Sequence, residues 1–173
     1  ASGTGGFLVS TLKHVDRLLH AKAHVSSGEE STEEFLSIQE QLIHFAEHQL
    51  FGADFDPFLV RAAQMNILMA SNGQAQVFYM NSLEFPAGHL QGVEEAQGKA
   101  DLGTMDVVMT NPPFGSDIPI TDPSILRHFE LAYIWERTED GGFRNTGRLQ
   151  GSVAPEVLFI ERALAWLKPG GRL

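Results

Sequence analysis

An α/β fold, a mostly parallel sheet with helices on both faces, is predicted by three features of the sequence. Amphipathic runs at helical spacing alternate with short apolar or β-branched runs. Prolines and glycines mark the boundaries between them. A glycine turn, a carboxylate and an Asn-Pro-Pro-Phe run also fall at the ends of the predicted strands, the edge at which open α/β sheets bind ligands. With 173 residues, 43% apolar and 20% charged, the composition excludes collagen-like, low-complexity and wholly disordered classes. The length suits one domain spanning residues 1–173.

Taken in order, Phe7, Leu8, Leu12, Val15, Leu18 and Leu19 recur at helical spacing opposite Lys13, Asp16 and Arg17, predicting a helix to about His24. Ser31 and Glu34 have capping-box spacing ahead of Phe35, Leu36, Ile38, Leu42 and Phe45, predicting a second helix to about Glu47. Gln49 to Asp54 reads as a buried strand. Asp56 then caps, and Pro57 starts, a third helix that stops at Asn72-Gly73. Gln76 to Tyr79 is a brief strand, and residues 81–104 are mostly loop with a short helix near Val93 to Gln97. Met105 to Thr110 is a β-branched strand that Pro112 and Pro113 must end. Residues 115–153 read as a long irregular excursion with one helix around Ser124 to Trp135. Pro155 starts the last helix, Lys168-Pro169-Gly170-Gly171 stops it, and Arg172-Leu173 opens another strand.

Composition narrows the function as well. The absence of cysteine removes disulfide, thiolate-metal and cysteine-nucleophile chemistry, and a cytoplasmic location is expected. The apolar runs fall far short of the ~18 residues that cross a bilayer. A net charge of −10 argues against a phosphate-binding surface over the whole molecule. Most of that charge is concentrated, however, in Glu29, Glu30, Glu33, Glu34, Glu40, Glu47, Asp54 and Asp56, between Lys22 and Arg61. Such a run reads as a solvated acidic face. Arg127, Arg137, Arg144 and Arg148 gather in one later stretch. The segment Ile134 to Gln150, with Trp135 and Phe143, is therefore a DNA-contact hypothesis. His20 with His24, and His44 with His48, have i, i+4 spacing without a His-Glu-x-x-His pattern, so surface histidines and no metal are expected.

Three groups lie at strand ends, Gly3-Thr4-Gly5-Gly6, Asp54 and Asn111-Pro112-Pro113-Phe114, and Asn81 stands just after a further strand. Gly3-Thr4-Gly5-Gly6 is either an ordinary turn or a loop that lets a ligand approach backbone at a helix N-terminus. It lacks the third glycine of a dinucleotide fingerprint, where Leu8 stands, and no Gly-Lys-Ser/Thr run serves a nucleoside triphosphate. Asp54 is placed either to cap a helix or to accept hydrogen bonds from a ribose diol. Asp56 is the better cap. Asn81 is a turn residue or an amide facing an adenine edge. Asn111-Pro112-Pro113-Phe114 is the sharpest of these signals. Two prolines fix the backbone so that the Asn111 side-chain oxygen and the Pro112 carbonyl form paired acceptors for a planar NH₂ group, with Phe114 as a stacking face. In isolation the same four residues would also fit a strand-ending turn with a core phenylalanine.

These pieces together resemble the amino-group DNA methyltransferases that use S-adenosylmethionine, most closely the modification (M) subunits of type I restriction-modification systems. The matching segments are Gly3-Thr4-Gly5-Gly6-Phe7-Leu8, then Gly52-Ala53-Asp54-Phe55-Asp56-Pro57 with its helix through Met65-Asn66. Asn111 to Phe114 follows, then Leu158-Phe159-Ile160-Glu161-Arg162 and Leu167-Lys168-Pro169-Gly170-Gly171-Arg172, in family order. The resemblance implies a Rossmann-like methyltransferase fold that transfers a methyl group to the exocyclic amine of adenine in DNA. By the same resemblance Gly3, Thr4, Gly5, Gly6 and Phe7 are cofactor-binding, with Gly3 and Gly5 bordering the methionine end. Asp54 would bind the cofactor's ribose and Asn81 its adenine. Asn111, Pro112, Pro113 and Phe114 would be catalytic, with Asn111 also near the cofactor. A specificity subunit and a restriction subunit are the partners it implies.

Relative to that family pattern, the Asp-Pro and central strand expected before Ala1 and the strand after Arg172 are missing. A fragment of a larger polypeptide, with weak or no methylation of its own, is therefore expected. Two rivals stand beside this expectation. One is a methyltransferase acting on rRNA guanine or a protein glutamine. The other is a non-catalytic cofactor-binding or interaction domain that uses residues 115–153 as its partner surface.

Overall fold

The computed structural model describes residues 2–27, 31–113 and 118–173, and the chain forms two compact units, Ala1–Lys99 and Ala100–Leu173. The fold is α/β with parallel strand pairs, consistent with a methyltransferase-like architecture.

The first unit holds helices α1 (Gly6–Ser27) and α2 (Thr32–His48), strand β1 (Phe51–Asp54), helix α3 (Pro57–Ser71), strand β2 (Gln76–Tyr79) and helix α4 (Gln91–Ala96). The local signals operate as expected. Glu34 N donates to Ser31 Oγ at 3.2 Å and Ser31 N donates to Glu34 Oε2 at 2.9 Å, a reciprocal cap that starts α2. Asp56 caps α3 by accepting from Phe58 N at 2.8 Å, Pro57 occupies the first turn, and Asn72 ends the helix at φ +58°.

β1 and β2 run parallel in the register Phe51–Gln76 to Asp54–Tyr79. Around them each helix contributes residues three or four apart, so that a single stripe is apolar. Leu8 and Leu12 come from α1, Leu42 and Ala46 from α2, and Val60, Ala63 and Ile67 from α3, packing with Leu50 and Val77. Each fully buried Leu or Ile contributes about 1.5–3 kcal/mol. That packing fixes the end of β1 relative to the start of α1, which is where the site lies.

The second unit holds strand β3 (Met105–Val107), helix α5 (Pro123–Leu126), a 3-10 turn (Glu130–Ala132), strands β4 (Tyr133–Arg137) and β5 (Phe143–Leu149), helix α6 (Pro155–Trp166) and strand β6 (Leu167–Arg172). Its buried side chains include Leu126, Phe129, Ala132, Val153 and Leu158. Two findings differ from the sequence reading. Residues 133–149, expected as irregular chain, form an antiparallel hairpin in which Trp135 faces Asn145, Glu136 faces Arg144 and Arg137 faces Phe143. The helix expected around Ser124 to Trp135 is replaced by the short α5 and the 3-10 turn.

The stop signal after α6 is likewise part of a strand. β6 pairs in parallel with β3, Met105 with Leu167 and Val107 with Arg172, so Lys168 to Gly171 bulge out opposite Asp106. Pro169 has no N–H to give a ladder and Gly170 takes φ +84°, which explains the bulge at that point. An ion pair between Lys168 and Asp106 closes over it.

Candidate active site

In the first unit the site is built where the turn before α1 meets the end of β1. Ser2 N donates to Ala53 O at 2.9 Å, laying the chain along β1. Gly3 N then donates to Asp54 Oδ2 at 2.8 Å, and Asp56 N donates to Asp54 Oδ1 at 3.1 Å. Asp54, only 7% exposed, therefore holds the glycine turn and the entry to α3 with one carboxylate. It does not cap a helix; its two bonds hold backbone on either side of the strand end.

Gly3 and Gly5 adopt φ of +54° and +83°, backbone that L side chains rarely take. A Cβ at Gly5 would lie 3.1 Å from Ala63 Cβ, so α3 and the turn touch without a spacer, whereas a Cβ at Gly3 would meet nothing within 4 Å. Thr4, Gly6 and Phe7 are exposed beside it. Asn66 Nδ2, from α3, donates to Thr4 O at 3.0 Å and pins the turn from its other side.

Asn81 lies just past the end of β2, on the same carboxyl edge as Asp54, since Met80 N donates to Asp54 O at 3.0 Å. Its side chain is engaged locally. Asn81 Oδ1 accepts from Leu83 N at 3.1 Å and Nδ2 donates to Glu84 Oε1 at 2.7 Å, the geometry of a turn residue. Phe55, which the residue reading did not single out, is 63% exposed at this edge, its ring 6.3 Å from that of Tyr79. A phenylalanine placed between two carboxylates at a strand end was the available signal.

In the second unit Val108 N donates to Arg172 O at 2.9 Å, continuing the alignment of β3 with β6 toward Asn111. Pro112 is buried while Asn111 and Pro113 are exposed, so the first proline anchors the segment and the asparagine faces outward. The exposed Asn111 amide has no hydrogen-bond partner among the described residues. Thr110 Oγ1 beside it is buried and unpaired among them. Phe114 lies outside the described residues.

Glu161 and Arg162 make the base of the hairpin. The Glu161 carboxylate accepts from Glu130 N at 2.7 Å and Leu131 N at 2.9 Å. Arg162 lies 4.8 Å over the Phe129 ring. Burial pushes the Arg162 pKa down, opposed by the neighbouring Glu161 charge. Among the described residues no group of His, Asp and Glu is placed to hold a metal, and no helix is long and apolar enough to cross a membrane.

The model of the N-6 DNA methylase family matches residues 1–173. The chain belongs to the N-6 DNA methylase family. No curated protein and no solved structure matches it. Members of the N-6 DNA methylase family methylate adenine in DNA, and S-adenosylmethionine is generally their methyl donor. The Asp54 carboxylate uses two of its about four acceptor sites on backbone amides, and a Cβ at Gly3 would meet nothing within 4 Å, the room and acceptor capacity a ligand diol at this edge would need.

Proposed function

We propose that this protein transfers the methyl group of S-adenosylmethionine to the exocyclic amine of adenine in DNA, as the modification subunit of a type I restriction-modification system. The observation that carries the reading is Asn111, exposed at the end of the strand segment and pinned by a buried Pro112, within the sequence Asn-Pro-Pro-Phe. When bound, the cofactor supplies an electrophilic methyl group. Asn111 Oδ1 and the Pro112 carbonyl accept the two N–H bonds of the adenine amine, orienting its lone pair and excluding water from it. Phe114 stacks on the extruded base. Gly3 to Phe7 and Asp54 hold the cofactor, Asp54 through its free acceptor sites, and Asn81 marks the adenine end. Duplex sequence would be read by a separate specificity subunit, and a restriction subunit would share the assembly.

The test is methyl transfer from radiolabelled S-adenosylmethionine by the full-length protein assembled with its specificity subunit, offered duplex DNA, ribosomal RNA and protein separately. Label recovered as N6-methyladenine in DNA is the expected result, lost by at least 100-fold in Asn111→Ala with cofactor affinity kept. Asp54→Asn should instead lower cofactor affinity. Label in RNA guanine or protein glutamine, or an Asn111→Ala variant as active as wild type, would overturn the reading.

A further inference from the structure

We propose that the β4–β5 hairpin is a DNA-contacting element in which Trp135 is a stacking platform for an unpaired base and Arg137, beside Phe143, meets the adjoining phosphate. This rests on DNA being the substrate, as proposed above. The pairing of Trp135 with Asn145 and of Arg137 with Phe143 places all four on one face of the ribbon. Trp135 is 41% exposed and Phe143 71% exposed. The Arg137 guanidinium has no partner among the described residues.

Aromatic content separates the two faces, with Trp135 and Phe143 on one and Glu136, Arg144 and Arg148 on the other. Arg144, which the sequence offered as a DNA contact, lies on the opposite face, in an exposed ion pair with Glu136 at 3.6 Å. On the aromatic face Arg137 is exposed beside the Phe143 ring and makes no ion pair among the described residues, a placement that suits a phosphate next to a stacked base.

The platform is also preorganised. Trp135 Nε1 donates to Glu130 O at 3.0 Å, which restrains the indole while the side chain stays partly exposed. Glu130 is itself held by the Glu161 carboxylate through its N–H, and its Oε2 accepts from Asn145 Nδ2 at 3.1 Å. Gln150 Nε2 donates to Leu131 O at 2.9 Å and to Tyr133 O at 3.2 Å, locking the hairpin's base. Beside the indole an open groove of about 610 Å³ is lined by Leu131, Tyr133, Ile134, Gln150 and Ser152, room enough for a flat ring. Enzymes that modify a base draw it out of the duplex. An ordered aromatic surface with a neighbouring cation holds such unstacked nucleotides at little cost in side-chain entropy.

The experiment uses the full-length protein and measures affinity for single-stranded and duplex oligonucleotides across a salt series, beside methyl transfer. Trp135→Ala should weaken single-strand binding about 10-fold, the equivalent of a ~1.4 kcal/mol stacking contact, while Trp135→Phe retains most of it. Arg137→Gln should lower the salt slope by about one. Cofactor affinity should be unchanged in all three. A protein that methylates DNA normally yet binds single strands equally well as Trp135→Ala, with an unaltered salt slope in Arg137→Gln, overturns the hairpin assignment and leaves the methylation reading intact. So does loss of a partner subunit from these variants with DNA affinity unchanged, which would make the face a protein interface. Failure of the wild type, assembled with its specificity subunit, to label DNA at all overturns both.

Discussion

Replacing Gly5 by alanine separates the two physical demands on the turn at the head of α1. The backbone there has φ +83°, and an L side chain in left-handed conformation costs roughly 1–2 kcal/mol. The new Cβ would also lie 3.1 Å from Ala63 Cβ and 3.2 Å from Ala63 Cα, inside the ~3.5–4.0 Å optimum for carbon pairs. Ala63 is fully buried in α3 and has no rotamer to yield, so an overpacking cost of about 1–3 kcal/mol adds to the strain. The expected total is about 2–5 kcal/mol. Gly3→Ala is the internal comparison. Its φ is +54° and its Cβ would meet nothing within 4 Å, so only the roughly 1–2 kcal/mol of strain applies. Urea unfolding followed by far-UV circular dichroism reads the difference, because α1, α2 and α3, of 22, 17 and 15 residues, dominate the helical signal. With a urea m-value of about 1–3 kcal/mol per molar, Gly5→Ala should unfold at clearly lower urea than Gly3→Ala. Coincident midpoints would show that the approach to Ala63 is soft and would refute the close-packed turn.

Three further outcomes are expected. Glu161→Ala leaves the Glu130 and Leu131 amides without their carboxylate and should destabilise the base of the hairpin by about 1–2 kcal/mol, visible as faster hydrogen exchange at those two amides; unchanged exchange would place the anchor elsewhere. Asn66→Ala removes the bond to Thr4 O and should cost about 0.5–1 kcal/mol with a measurable loss of cofactor affinity, whereas equal affinity would show that the turn is held by Asp54 alone. In the hairpin turn, hydrogen bonds from the Thr138 hydroxyl and Gly142 N hold the Asp140 pKa below the usual 3.8. Its contribution is therefore present above the unfolded value and is lost as the pH falls through the lowered folded value; the Gly142 amide shift should titrate below pH 3.8 in wild type and not at all in Asp140→Asn.

The elements that the sequence made legible are those determined by neighbours in the chain. Ser31 with Glu34, Asp56 with Pro57 and Asn72 with Gly73 each mark a boundary through bonds made within a few residues. The β4–β5 hairpin was hidden because Tyr133 to Arg137 and Phe143 to Leu149 are largely exposed and show no apolar alternation to betray a buried face. What holds it is remote, above all the Glu161 carboxylate some thirty residues on. β6 was hidden for a similar reason. Lys168-Pro169-Gly170-Gly171 is locally a stop, and only the backbone of β3 draws its flanks into a ladder. For the site, the strand-end position of Asp54 was readable from the apolar run before it, but its bond to the Gly3 amide joins segments with no sequence signal between them. Asn81 gave a turn residue's signal, and its amide is occupied as a turn residue's is.

The two backbone amides on Asp54 have a consequence for how binding is felt. One carboxylate ties together the start of α1 and the start of α3, so any ligand that bonds its remaining acceptor sites draws on the same group that orders the turn. Occupancy and local order then become one linked equilibrium. A bound molecule slows opening of the turn, and a disordered turn weakens the bound molecule by the same factor. The Gly3 and Asp56 amide protons become reporters of occupancy, slowing together in hydrogen exchange as ligand is added, although neither needs to touch the ligand.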